Sequence, residues 1–207
     1  YANHAIFKTL QPTADPRPAK PPMPWDEPLF QLSCEISARW PRATAATQRN
    51  LMRLVTPGHR FGPAHEIFPS ERNVRFNEME YHLPREYGLQ ALREIRTALE
   101  SQHHEVFFPI EVRYVKADDI WLSPFYQRDC CSIAVHRYFA EDYTPYFKTI
   151  EPILRKYHGR PHWGKLNTLQ REDLRKLYPR WDDFAQVRKT VDPQGRFLNS
   201  YLAGLFG

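Results

Sequence analysis

Glycine is scarce in this chain, with eight residues in 207. Turns that cradle phosphate need glycine, because only a residue without Cβ lets the backbone approach a pyrophosphate closely. No GxGxxG occurs, which disfavours a self-contained dinucleotide fold. Cysteine is scarcer still: Cys34, Cys130 and Cys131. An odd count with one adjacent pair is not a disulfide framework, and no CxxC is available for zinc. There is no N-x-[ST] sequon, and no basic segment followed by an apolar stretch opens the chain. No apolar run approaches the roughly 18–20 residues of a membrane-spanning helix. The expectation is a reducing, cytoplasmic setting, with peripheral membrane association left open.

Proline, by contrast, is abundant at nineteen, and 42% of residues are apolar, 14% aromatic. That is enough to build a core, so disorder of the whole chain is excluded. The net charge of +5 is modest and spread along the chain. It is compatible with a nucleic-acid partner, an anionic substrate or neither.

Six prolines in ADPRPAKPPMPWDEP make residues 1–30 read as an extended connector. Residues 31–37 (QLSCEIS) read as a strand. Residues 44–56 read as a helix opened by Thr44 and ended before Pro57. Residues 57–72 read as loop. Alternation predicts strands over 74–83, 105–116 and 130–139, with Pro109 marking an edge or a bulge. Helical spacing predicts helices over 87–101, from Thr144-Pro145 to Tyr157, and near 169–177 and 180–190. DPQG at 192–195 reads as a type I turn. The whole is an α+β arrangement: an antiparallel sheet with helices packed on one face, in a domain covering 31–207.

Side-chain parity is the most informative signal. Ile110, Val112 and Tyr114 point one way along their strand, and Glu111 and Arg113 the other. On the next strand Ile133 and Val135 share a face, while Ser132, Ala134, His136 and Tyr138 share the opposite one. If the two pair with their apolar faces toward the helices, Glu111, Arg113, His136 and Tyr138 converge on the other face. This is either a polar pocket or a solvated sheet face carrying cross-strand ion pairs. Glu78 and Glu80 share one face of strand 74–83, with Met79, Tyr81 and Leu83 on the other. The simpler reading makes these two glutamates solvated.

Other motifs lose their force on inspection. GRPHWGK at 159–165 fits GxxxxGK, but Leu166 offers no hydroxyl for magnesium and Arg-Pro-His-Trp is too bulky for a phosphate nest. His158 and His162 are separated by helix breakers, and His103 and His104 cannot share a face, so no metal site is expected. Cys130 and Cys131 point to opposite faces and read as packing residues.

The run HWGKLNTLQREDLRKLYPRWDDFAQVRKTVDPQGRFLNSYLAGLF at 162–206 resembles the ending of the aldonolactone oxidoreductases, within the vanillyl-alcohol-oxidase flavoprotein superfamily. That group includes the L-gulonolactone, L-galactonolactone and D-arabinonolactone oxidases and the alditol oxidases. HWGK, the YP before a helix and the DPxGxFxNxYLxxLF ending occur together and in order. FNEMEYHLPRE, EVRYVKADDIWLSP and IAVHRY also look like segments of this family. The resemblance is good over 74–207 and weak over 1–70.

The resemblance implies the cap, or substrate, half of a two-domain enzyme whose FAD-binding domain lies outside this sequence. It implies oxidation of a sugar-derived lactone or polyol by hydride transfer to flavin N5, with oxygen as the expected acceptor. By the same resemblance Glu111 binds substrate hydroxyls, and Arg113 sits near the reacting oxygen or the anionic reduced flavin. His136 is a base or hydroxyl partner, and Tyr138 a further substrate contact. Lys165 reaches the reacting oxygen or the flavin pyrimidine edge, with His162 and Trp163 shaping its loop at the cofactor. The implied partners are the small-molecule substrate and the FAD domain, and not nucleic acid. The competing readings are a non-catalytic interaction domain and a basic nucleic-acid-binding α+β module.

Overall fold

The computed structural model describes residues 7, 12, 26–54, 62–68 and 73–207. The chain divides into two compact units. One comprises residues 1–76, 103–108 and 137–142, and the other 77–102, 109–136 and 143–207. Most of the expected connector at 1–30 and much of the expected loop at 57–72 lie outside the described residues.

The first unit contains α1 (Asp26–Arg39), α2 (Thr44–Leu54) and the short α3 (Ala64–Ile67). The expected strand at 31–37 is instead the middle of α1. Ser33, Cys34 and Ser37 are buried while Leu32 is 51% exposed, which is a helical and not an alternating pattern. Two small serines on the buried stripe hid that period from the sequence. The core gathers Cys34, Val74, Phe107 and Tyr138, with Phe30, Ala38, Leu51 and Phe108 packed against it. Burial pushes the Cys34 thiol up to about 12, so it is an inert packing group. The side-chain amide of Gln48 donates to the carbonyls of Val106 and Phe107, at 3.1 and 3.0 Å. Those carbonyls are therefore not free to join a ladder, and the strand expected over 105–116 shortens to Glu111–Val115.

The second unit is built on β1 (Phe76–Pro84), β2 (Glu111–Val115), β3 (Cys130–Tyr138) and β4 (Arg160–Pro161), whose first and last residues partly count with the first unit. Their order in the sheet is β2-β3-β1-β4. β2 pairs antiparallel with β3, setting Glu111 opposite Ala134 and Arg113 opposite Ser132. β4 pairs antiparallel with β1 through Tyr81–Pro161 and His82–Arg160. β4 carries no strand signal in the sequence, because it is two residues long and one of them is Pro161.

One face of the sheet is apolar. Met79, Tyr81 and Leu83 of β1 and Cys131, Ile133 and Val135 of β3 are all buried. They meet α4 (Gly88–Gln102), which buries Ala91, Ile95 and Ala98, and α5 (Thr144–Lys156), which buries Ile150 and Leu154. Each such aliphatic side chain contributes about 1.5–3 kcal/mol on burial. Gly88 has an ordinary helical φ of −55°, so it is required for size and not for conformation. A Cβ there would lie 2.5 Å from Cys131 Sγ and 2.6 Å from its Cβ. Gly88→Ala is therefore expected to destabilise the chain by about 1–3 kcal/mol in urea unfolding. Cys131→Ala, which removes only Sγ, should relieve part of that loss. A neutral Gly88→Ala would mean that α4 is free to lift off β3.

The C-terminal helices α6 (Arg171–Leu177), α7 (Trp181–Val191) and α8 (Ser200–Phe206) complete this unit. The α8 helix escaped the sequence reading, although Asn199 caps it by accepting from the Leu202 N–H at 2.8 Å. A run of rings joins these helices to the loop after β4: Trp163–Tyr178, Trp163–Trp181 and Trp181–Phe206, at 5.3, 6.3 and 4.4 Å between centroids. At the β4 edge Arg160 donates to the carbonyls of Leu177, Pro124 and Tyr126, tying the end of α6 to the 117–128 loop. Among the described residues no helix is long and apolar enough to cross a membrane.

Candidate active site

The face of the sheet opposite α4 and α5 carries the charge. The β2–β3 register places Glu111 and Arg113 on the same side as Ala134 and Ser132, and alternation along β3 adds His136. From β1 come Glu78, Glu80 and His82, the residues left over once Met79, Tyr81 and Leu83 face the helices. The segment after β4 keeps to β1, with His162 N–H donating to the Glu80 carbonyl at 3.0 Å and Leu166 N–H to that of Glu78 at 3.1 Å. Lys165 lies between these two anchors, and a turn bond from its own N–H to the His162 carbonyl shapes the loop.

Glu80 is the hub. Its side chain is fully buried, and it accepts from Arg113 on one oxygen and from Lys165 on the other, each at 2.5 Å. Burial alone would raise its pKa. The Lys165 hydrogen bond and the Arg113 charge overcome burial and hold the carboxyl below its ordinary range. Glu78 accepts from Lys165 and lies 3.3 Å from His136 Nε2. Burial raises this group too, but His136 and Lys165 outweigh it and bring it to about 2. Both carboxylates are therefore ionised at neutral pH, and Lys165 is held between them. His136 Nδ1 donates to the Pro109 carbonyl at 3.1 Å, which fixes the ring and directs Nε2 toward Glu78. Arg113 also approaches Glu111, at 3.5 Å, yet remains 50% exposed. It thus offers guanidinium donors beyond those Glu80 takes.

Beside this cluster is a cavity of about 370 Å³, bounded by Glu80, His82, Arg113, Phe125, His162 and Trp163, among others. A second hollow of about 380 Å³ runs along α4, but its one carboxylate, Glu94, is already held by Lys156 and Tyr157. Convergent charge distinguishes the first cavity.

The structure thus brings Glu111, Arg113, His136 and Lys165 onto one face. His162 and Trp163 border the cavity. Trp163 Nε1 donates to the Leu122 carbonyl at 2.9 Å, and His162 Nδ1 accepts from the Gly164 N–H at 3.1 Å. Both side chains are committed to holding the loop. Tyr138 is placed differently: it is 6% exposed in the apolar core of the first unit. Alternation along β3 assigned it to the polar face, but residues 137–142 belong to the other unit. Glu78 and Glu80 are not solvated, as the simpler sequence reading had them: Glu80 is buried and Glu78 largely so, and both are partners of the cations. His82 went unnoticed, and Ser132 was placed on this face without a role. The pairing of β1 with β3 brings His82 Nδ1 within 2.7 Å of Ser132 Oγ. Among the described residues no group of histidine, cysteine and carboxylate side chains is arranged to hold a metal ion.

A sheet with helices on one face and a charge-lined cavity on the other is a layer suited to binding a small polar molecule. The chain belongs to the D-arabinono-1,4-lactone oxidase family, whose profile matches residues 1–205. It is 36% identical to the L-gulono-1,4-lactone dehydrogenase of Mycobacterium tuberculosis over all of this chain and 50% of that protein. It is 38% identical to the mouse L-gulonolactone oxidase over 69% of this chain and 34% of that protein. A Streptomyces alditol oxidase is 34% identical over 70% of this chain and 36% of its own length. The chain therefore spans about half the length, or less, of these relatives.

Proposed function

We propose that this chain is the substrate-side half of a flavin-dependent oxidoreductase that oxidises a carbinol carbon of a sugar-derived lactone or polyol. The observation that carries this reading is the pair of cations, Arg113 and Lys165, fixed by one buried carboxylate, Glu80, with Glu80 and Arg113 lining the 370 Å³ cavity. Family membership, and relatives named for lactone and alditol oxidation, support it. Three glutamates on the same face disfavour a polyanion such as nucleic acid.

The chemistry follows from the charges. Oxidising an alcohol removes the hydroxyl proton and builds negative charge on the oxygen. Arg113 and Lys165 are positioned in advance to meet that charge, and held cations stabilise it without reorganisation. His136 Nε2 is the candidate acceptor of the proton, because Nδ1 is committed to Pro109. Glu78, ionised 3.3 Å away, then stabilises the imidazolium. Glu111, partly exposed beside Arg113, is suited to hold a neighbouring hydroxyl.

FAD, when bound, supplies the two-electron acceptor. The donor set here fits its ring edge: the half-exposed guanidinium of Arg113 and the ammonium of Lys165 suit an electron-rich pyrimidine. The set does not fit the pyrophosphate, since the sequence has no glycine-rich turn for it. Those contacts are assigned to the remainder of the protein, which is thereby this chain's first partner.

The test compares the full-length protein with the isolated 207-residue chain, each incubated with FAD and desalted. The full-length form should keep a yellow flavin band and oxidise at least one of galactono-, gulono- or arabinono-1,4-lactone or a polyol. The isolated chain should do neither. A flavin-loaded full-length protein inert toward all of them overturns the reading. Flavin retained by the isolated chain would place the cofactor site here instead.

A further inference from the structure

One residue lining the cavity carries a polar atom without a partner. His82 is 2% exposed, and its Nδ1 is engaged with Ser132 Oγ, but Nε2 is buried with no hydrogen bond. An orphaned ring nitrogen is uncommon in a folded interior and calls for a reason. Phe125 packs edge-on against the ring at 4.7 Å and the His162 ring lies 5.9 Å off, so small movements of these rings bring Nε2 to the cavity. Protonation does not rescue it. Burial disfavours the imidazolium more than Glu80, 3.8 Å from Nδ1, favours it, and His82 is held down at about 4.

The surroundings define what would satisfy Nε2. Phe125 and Trp163 supply apolar wall, against which the C–H face of a sugar can lie. The tautomer of a neutral imidazole is set by which partner, histidine or serine, gives the proton in the bond to Ser132, so Nε2 is either a donor or an acceptor. A hydroxyl satisfies both cases. A carboxylate or ammonium would satisfy only one and would also be stranded on apolar wall. The reacting carbinol belongs at Arg113 and Lys165, and His82 lies two residues beyond Glu80 on β1, about 7 Å further along the strand.

The geometry points to His82 as the specificity-determining residue for a second substrate hydroxyl, one several bonds from the reacting carbon, such as the terminal hydroxyl on the exocyclic chain of a hexono-lactone. This rests on the lactone or polyol reading above. It extends that reading by naming which part of the substrate is read, and by which atom.

The experiment uses the flavin-loaded full-length protein with a hexono-1,4-lactone and its 6-deoxy analogue, measuring kcat and KM for each. Wild type should favour the hydroxylated lactone in kcat/KM by about ten- to a hundredfold, mostly through KM. In His82→Leu that ratio should collapse toward one. In His82→Gln, whose amide reaches where Nε2 stood, it should be largely restored. Wild type that treats the two lactones alike, or His82→Leu that keeps the preference, overturns the proposal. Should His82→Leu fail to fold, the ring resonances of the wild-type protein decide. A second readout needs no turnover: the His82 ring ¹⁵N resonances of the full-length protein should shift on adding the hydroxylated lactone and stay put on adding the 6-deoxy analogue. Equal shifts with both count against it. Failure of the underlying reading looks different, because then neither lactone is oxidised.

Discussion

Replacing Lys165 or Arg113 with alanine in the flavin-loaded full-length protein is expected to lower kcat by roughly 10²–10³, with little change in flavin content. That is the magnitude for removing one preorganised group aimed at developing charge. The two variants should differ in stability. Lys165 neutralises both Glu78 and Glu80, whereas Arg113 shares Glu80 with it and is half exposed. Lys165→Ala leaves Glu78 with only His136 for company, so it should unfold at lower urea than Arg113→Ala. Arg113→Lys keeps the charge but not the fork, and should fall between wild type and alanine in kcat. A near-normal kcat in either alanine variant would remove that residue from the chemistry.

The largest expected loss of stability is at a carboxylate held by neutral donors. Glu151 of α5 is 4% exposed and accepts three hydrogen bonds: from the Tyr81 hydroxyl, from Thr168 N–H at 2.7 Å and from Thr168 Oγ1 at 2.6 Å. Tyr81 itself is fully buried. Glu151→Leu strands these donors, each at a penalty of about 1–3 kcal/mol if it finds no water. Since Thr168 is at the edge of the site and can recover some solvent, a total of about 3–4 kcal/mol is expected in urea unfolding. Glu151→Gln, which keeps one acceptor oxygen, should lose less than half of that. A loss below about 1 kcal/mol for Glu151→Leu would mean that these bonds do not hold the segment following Lys165. Kinetics should respond as well, because Thr168 anchors the chain three residues past the ammonium.

How much of this was legible depends on the range over which each signal acts. Parity is local, so alternation alone assigned Glu111 and Arg113 to one face and His136 to the matching face of the next strand. The hairpin register then put them together. What parity lacks is the identity of the neighbour across a non-local pair. Glu78 and Glu80 were on the right face, but their burial comes from Lys165, 87 and 85 residues away, and from Arg113, 33 away. No local pattern carries that information. β4 was invisible for the same reason: its two residues become a strand only by lying against β1. The α1 helix failed differently, because Ser33 and Ser37 occupy buried positions where a period-3.6 reading looks for apolar residues. Tyr138 marks where alternation continues while the chain passes from one packing unit to the other.

The pairing of Glu78 and Glu80 with the cations also bears on the charge of the ligand in the proposed function. Three carboxylates, Glu78, Glu80 and Glu111, face two fixed positive charges, Arg113 and Lys165. The surplus of positive charge over the whole chain, +5, is thus absent from this face. An uncharged ligand enters without electrostatic steering, and its association rate is indifferent to ionic strength. An acid formed when a lactone ring opens carries a carboxylate that meets no net attraction here. On the proposed function, the same balance disfavours binding of the anions that opening of a lactone ring leaves in solution.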